Sequence, residues 1–154
     1  MRKIALTKNQ TAYVSDEDYF DLLQYRWQAR WNGFMYYAVR NIKQGVNIYM
    51  HRQIAEKMGL DLSEQIDHID GNGLNNQREN LRSATSSQNG FNRNKQNNNT
   101  SGFKGVFFDK RRSNYFAQIR INGKSIRLGT FDDINEAVKA YQEAAKKYRG
   151  EFAR

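Results

Sequence analysis

Apolar positions along the chain fall into two blocks, separated by residues 92–102, a run of Asn, Arg, Lys, Gln, Thr, Ser and Gly without an apolar side chain. Such a run has nothing to bury and predicts a solvated linker. In the block before it, Ser15 stands ahead of Asp16, Glu17 and Asp18. A hydroxyl cap followed by carboxylates at the positive end of a helix dipole predicts a helix from Ser15 to about Trp27. Residues 33–41 and 46–50 are rich in aromatic and β-branched side chains and flank Gly45, the pattern of a hairpin. Residues 50–58 predict a short helix that Gly59 stops.

The second block changes period. Residues 103–109, 115–121 and 124–131 predict three strands, the last two joined by Asn122-Gly123, the strongest short hairpin signal. In the middle strand Tyr115, Ala117, Ile119 and Ile121 alternate with Phe116, Gln118 and Arg120, giving one apolar and one polar face. Ile134, Ala137, Val138, Tyr141, Ala144, Ala145 and Tyr148 then recur at helical spacing over residues 133–148, a stripe suited to cover the apolar side of the sheet. Asp133 followed by Glu136 marks a capping box at its start.

Charge separates the same two blocks. The formal net charge is +9. Residues 1–91 contribute only +1 of it and residues 92–154 the remaining +8. With a pI near 9.8, a polyanion is the first partner to consider, and the asymmetry assigns the electrostatic clamp to the C-terminal part. The absence of Cys excludes disulfides and thiolate zinc sites and fits a reducing cytoplasm. No apolar run approaches the ~18 residues that span a bilayer, and the N-terminus is too short and polar for a signal peptide, so no membrane partner is expected.

One of the two His residues lies in Gln65-Ile-Asp-His-Ile-Asp-Gly-Asn72, followed by Arg78-Glu-Asn-Leu-Arg82 and Ser86-Ser-Gln-Asn-Gly-Phe-Asn-Arg93. Asp67-His68, then Asn80-Leu-Arg, then Asn89 resemble the HNH motif, the ββα-metal nuclease core of phage and intron-encoded homing endonucleases, over a core of about residues 48–93. The resemblance implies His68 as the base that activates water. Asp67 and Asn89 would be oxygen ligands for Mg²⁺, with Mn²⁺ as the alternative. Asn80 would complete the catalytic set by bracing the intervening loop and fixing the orientation of the base, while Gly71 and Gly73 let that loop turn tightly. His51 matches a position often His in the subfamily and is either structural, which we prefer, or a phosphate contact. Arg82 and Arg93 either touch flanking phosphates or are solvated.

Residues 103–154 resemble a second family. Lys104-Gly-Val, Tyr115-Phe-Ala-Gln-Ile-Arg120, Gly123-Lys, Leu128-Gly-Thr-Phe131, Glu136-Ala, Ala140-Tyr, Glu143-Ala-Ala145 and Gly150 follow the ethylene-response-factor domain, the APETALA-two type of plant transcription factors that is also fused to phage HNH nucleases. It implies a sheet whose exposed face enters the major groove of DNA, where Gln118, Arg120, Ser125 and Arg127 would meet bases or backbone. Lys104, Lys110, Arg111 and Arg112 would bind DNA, the three turn residues through phosphates. The plant proteins carry arginines in the first strand where this chain has Phe107, Phe108 and Asp109, so the plant target sequence does not transfer.

The expected chain is therefore α+β, with an HNH module over residues 1–91, a linker at 92–102, and a small three-stranded antiparallel sheet packed on one helix over 103–154. The expected function is a metal-dependent, site-specific DNA endonuclease acting on duplex DNA in the cytoplasm of a bacterial host, encoded by a phage or intron. The alternative is a non-catalytic, sequence-specific transcriptional regulator; an RNA-directed protein would carry an aromatic stacking signature that is missing. No heptad or dimer face is visible, so a nicking monomer is expected, while a dimer or two sequential events would give a double-strand break.

Overall fold

A computed structural model describes the chain apart from residues 43–44, 93–98, 100, 122 and 154. It divides into two compact units, Met1–Ser86 and Ser87–Arg154.

The first unit opens with two strands that the sequence pattern did not predict, β1 (Arg2–Ala5) and β2 (Thr11–Val14), paired antiparallel. They are joined through Lys8 and Asn9 at φ 59° and 53°, and the Gln10 N–H donates to the Thr7 carbonyl at 3.2 Å. Two left-handed residues at the centre of the turn match the twist of a hairpin, but Lys-Asn lacks the glycine that normally announces it. Helix α1 (Asp16–Leu23) starts at Ser15 as expected, yet the Ser15 side chain caps nothing in it. Its hydroxyl instead accepts the Arg78 N–H at 3.0 Å. The helix also stops short of Trp27, because the Trp27 indole donates to the Leu22 carbonyl at 2.8 Å and turns the chain out of the helix. Directly after Trp27 the chain forms β3 (Gln28–Trp31), which joins β4 (Tyr36–Asn41) and β5 (Asn47–Tyr49) in a sheet ordered β3-β4-β5.

Helix α2 (Met50–Lys57) follows, and Gly59 adopts φ 72° just past its end, where only glycine is unstrained. Strand β6 (Gln65–His68) then pairs antiparallel with β8 (Leu81–Ala84). The loop between them contains β7 (Asn75–Asn76), which runs parallel to β2, and a 3₁₀ turn at Arg78–Asn80. Val14, Leu22, Met50, Ile54, Ile66 and Leu81 form the core. Each large apolar side chain buried there contributes roughly 1.5–3 kcal/mol.

Helix α3 (Ser86–Asn92) begins at the division between the units. In the second unit β9 (Val106–Asp109), β10 (Asn114–Ile121) and β11 (Lys124–Phe131) form an antiparallel sheet ordered β11-β10-β9. The first strand starts later than expected, because the Val106 N–H turns back to the Phe103 carbonyl and Ser101 Oγ donates to the Val106 carbonyl. Asn99 donates to the Phe103 carbonyl at 2.8 Å and accepts from the Gly102 N–H at 2.9 Å, so this end of the expected linker is hydrogen-bonded to the start of the sheet. The Asn122-Gly123 signal falls partly outside the described residues, but β10 and β11 pair on either side of it, with Gly123 at φ 77°.

Helix α4 (Ile134–Arg149) is capped by Asp133, which accepts the Asn135 N–H at 2.6 Å. It lays Ala137, Tyr141, Ala144 and Ala145 on Val106, Ala117 and Ile119. A bulge shifts the β10–β11 register between Ala117 and Gln118, so that Gly129 faces Ala117 while Arg127 faces Gln118. The extra residue, Leu128, packs on the core, and the alternation beyond it keeps Arg127 and Ser125 on the side away from α4. The architecture is α+β. No helix among the described residues is long and apolar enough to cross a membrane.

Candidate active site

Asp67 and His68 are the last two residues of β6, paired across to Arg82 and Leu81 of β8. Asp67 is 5% exposed. Its Oδ2 accepts from Arg82 Nε at 3.1 Å and Nη2 at 3.0 Å. Arg82 is thus a partner of Asp67, rather than a solvated side chain.

His68 is equally buried, with its Nε2 3.2 Å from Asn76 Oδ1. Its ring packs edge-on against His51 at 5.0 Å between centroids and lies 5.9 Å from Tyr37. Burial among rings pulls the His68 pKa below its ordinary value of 6.5. The Asn76 bond and the carboxylates of Asp70 and Asp67 oppose that shift without reversing it. The imidazole is neutral at neutral pH, the state in which it can accept a proton.

The loop that follows is built around Asp70. Its Oδ1 accepts from the Asn72 N–H at 2.8 Å and from Asn80 Nδ2 at 3.0 Å, and its Oδ2 from Asn75 Nδ2 at 2.8 Å. Burial raises the Asp70 pKa, but the bonds from Asn75, Asn72 and Asn80 outweigh it and hold the carboxyl below its ordinary value. Asn80 completes the ring of bonds: its Oδ1 accepts the Asp70 N–H at 3.0 Å and its Nδ2 reaches the Asn75 carbonyl at 2.7 Å. These contacts all go to the loop between β6 and β8. Gly71 turns the loop at φ 71°, and a Cβ on Gly73 would lie 2.5 Å from the Tyr36 carbonyl. The loop therefore seats against β4 only because residue 73 has no side chain.

His51, in the first turn of α2, is boxed by Tyr37, Tyr49 and His68, and its Nδ1 is buried with no hydrogen-bond partner among the described residues. Burial, then the charges of His68 and Arg52, pull its pKa down to about 3. A neutral imidazole walled in by rings suits packing, not phosphate binding. The folded state resists protonation that the unfolded chain accepts below pH ~6.5, so stability is intact above that pH and falls between it and about pH 3. At ~1.4 kcal/mol per pH unit, the His51 share at pH 5 is about 2 kcal/mol. Urea unfolding at pH 7.5 and 5 should show that much less acid loss in His51→Phe than in the wild type. An equal loss in both would remove His51 from the account.

The structure adds groups that we did not single out from the sequence. Asn76 and Asp70 are among them; the crowding of Asp and Asn over residues 70–76 is the signal in the sequence that points to them. Asp18 appeared only as a dipole-favoured carboxylate. It is fully buried and holds Arg78 through Nε at 2.7 Å and Nη2 at 2.8 Å. Asn89 lies on α3 and belongs to the second unit, whereas Asp67, His68, Asn80 and Arg82 belong to the first. Arg93 lies outside the described residues.

In the second unit the sheet face away from α4 carries Phe107, Phe116, Gln118, Arg120, Ser125, Arg127 and Thr130, as the registers Phe116↔Phe107, Gln118↔Arg127 and Arg120↔Ser125 require. Phe107 stacks on Phe116 at 5.1 Å, and the Arg127 guanidinium lies 4.6 Å from the Phe116 ring. Arg127 also donates to Thr130 Oγ1 at 3.1 Å, and Arg120 Nε to the Gly123 carbonyl at 3.2 Å. Lys110, Arg111 and Arg112 are exposed in the turn between β9 and β10. Lys104 differs from them: its ammonium donates to the Phe91 carbonyl of α3.

Comparison with known proteins bears on both units. The HNH endonuclease family matches residues 48–91, and the AP2 domain family matches residues 101–151. An uncharacterized HNH endonuclease of Acanthamoeba polyphaga mimivirus is 31% identical over 148 residues, 95% of this chain and 74% of that protein. Protein 3.8 of Escherichia phage T7 is 36% identical over 89 residues, 58% of this chain and 73% of that protein. No solved structure matches. A buried Asp-His pair on a paired strand, the braced loop after it, and a relative aligned over nearly the whole length lead to one conclusion: the chain belongs to the HNH endonuclease family and carries an AP2 domain behind its nuclease segment.

Proposed function

We propose that this nuclease is a metal-dependent, site-specific endonuclease of the homing type that hydrolyses phosphodiester bonds in double-stranded DNA. The observation that carries the proposal is the buried His68 beside Asp67 at the end of β6. In this mechanism His68 takes the proton of the attacking water, Asn80 keeps the loop behind it closed, and Arg82 balances the Asp67 carboxylate.

The donor chemistry fits a hard divalent cation. Among the described residues no group of three or more His, Cys, Asp or Glu could hold an ion. One carboxylate already compensated by an arginine suits an ion that keeps its waters and takes further oxygens from the substrate's phosphates. Asp67 and Asn89 would hold Mg²⁺, or Mn²⁺ in its place. When bound, it would neutralise charge on the phosphate and the leaving oxygen.

Target choice falls to the outer face of the sheet, with Gln118, Arg120, Ser125 and Arg127 towards bases or backbone and Lys110, Arg111 and Arg112 towards phosphates. Phe107 and Phe108 stand where the plant domains carry cationic contacts, and Phe107 stacks on the Phe116 ring beside Arg127, so the sequence read should differ from that of the plant domains. Tethering this domain to the nuclease raises the local concentration of the cutting site. The setting we propose is the cytoplasm of a phage-infected bacterium, with a monomer that nicks. Supercoiled plasmid carrying the DNA that flanks the protein's own gene should relax to open circles with Mg²⁺ and stay intact with EDTA. Gel-shift binding without conversion would point instead to a regulator that has lost its chemistry.

A further inference from the structure

We infer that the stacked pair Phe107 and Phe116 reads a thymine in the target DNA through the C5-methyl group of the base; this rests on the reading that the sheet face away from α4 chooses the target. The two residues pair across β9 and β10 and are therefore neighbours on that face. Their rings lie 5.1 Å apart between centroids and 20° from parallel. Phe107 is 40% exposed and Phe116 is half-buried, and neither belongs to the core under α4. The pair thus offers solvent a flat apolar surface.

Its surroundings say what that surface docks on. The Arg127 guanidinium lies 4.6 Å from the Phe116 ring, Arg120 is exposed on the same face, and Lys110, Arg111 and Arg112 are exposed in the turn between β9 and β10. Neither Arg120 nor Arg127 makes an ion pair among the described residues. The acid on this face, Asp109, accepts the Arg111 N–H at 3.0 Å. An apolar spot among uncompensated cations complements a polyanion that shows apolar groups between its phosphates, as duplex DNA does in the major groove.

The chemistry of the rings then selects the base. In the major groove guanine shows acceptors, adenine an acceptor and a donor, and cytosine a donor. Each of these would lose water against the rings without gaining a hydrogen bond. Thymine alone among the standard bases adds a methyl group there, with its O4 acceptor beside it. Arg127 gives one bond to Thr130 Oγ1 and, as a guanidinium, has further N–H donors to offer that oxygen. 5-Methylcytosine carries the same methyl but sets an amino donor next to it, against the guanidinium. Phe107 and Phe116 are therefore specificity determinants, and Arg127 supplies the polar half of the contact.

The test is selection of duplexes from a random-sequence library by the full chain in EDTA, after which each thymine of the selected site is replaced singly by uracil. That change removes the methyl and leaves the hydrogen-bonding groups of the base in place. Kd should rise about fourfold at one position or a neighbouring pair, the loss expected for uncovering one methyl-sized group, and stay within about twofold elsewhere. Phe107→Ala should bind thymine and uracil alike at that position, while Phe107→Leu, which keeps an apolar group, should retain part of the penalty. A library made with 5-methylcytosine should still select thymine there; 5-methylcytosine in its place would overturn thymine as the base read. A selected site without thymine, indifference to uracil throughout, or a penalty that persists in Phe107→Ala would overturn the inference. If Phe107→Ala does not fold, the wild-type scan and a smaller penalty in Phe107→Leu decide. Arg120→Ala separates this inference from the reading beneath it. Weaker binding in that variant with no uracil penalty in the wild type refutes thymine recognition alone. Unchanged binding, or no selected site at all, removes the sheet face as the reader and the inference with it.

Discussion

His68→Ala should lower the single-turnover rate of plasmid nicking by roughly 10²–10⁴-fold, the range a positioned general base contributes. The ring is held between Asn76, Tyr37 and His51, and burial keeps it neutral when the solution is neutral. Loss of the proposed base would remove the proton acceptor without touching the sheet face proposed to bind DNA. Gel-shift affinity should therefore stay within about twofold while the rate collapses, the pattern of a transition-state contact. His68→Gln separates chemistry from packing, because it fills much of the space but cannot take the proton at neutral pH. A rate near wild type in either variant would move the base elsewhere.

Arg78→Ala should cost about 3 kcal/mol of stability, the low end for breaking a buried pair by removing one partner. Asp18 is fully buried and its carboxylate takes two bonds from the Arg78 guanidinium, so the substitution leaves a buried charge without its cation. The low end applies because Arg78 is 29% exposed on its side chain and water can reach the gap. The pair also links α1 to the 3₁₀ turn that carries Asn80, and the Arg78 N–H is held by Ser15. Urea midpoints should show the loss, and Asp18→Asn in the Arg78→Ala background should recover part of it by removing the stranded charge. Full stability in Arg78→Ala would mean that the pair is no more than a surface contact.

Much of the second unit was legible because its signals are local. Period-two alternation over residues 115–121 and the helical stripe from Ile134 to Tyr148 each report their own burial. The bulge at Ala117 and Gln118 was not, since it arises from pairing between strands. In the first unit the helix was placed at its start but overrun at its end. The Trp27 indole that closes it is a side chain acting from five residues beyond Leu22. Strands β1 to β3 escaped notice because four-residue strands with a Lys-Asn turn carry little pattern.

The sequence by itself determined which chemistry the chain could attempt. Asp67, His68, Asn80 and Asn89 in order specify residue types that only a few reactions need, and the +8 charge of the last block calls for a polyanion. Only the tertiary structure decided what surrounds those groups. It closed Arg82 onto Asp67, bonded Asn80 to Asp70, buried His51 among aromatic rings, and brought Asn76 against His68 on a strand paired to residues 13 and 14. The physical reason is that residue identity limits what a side chain can donate, accept or titrate. Which partner it finds, and in what dielectric, depends on contacts between segments that sequence spacing does not encode.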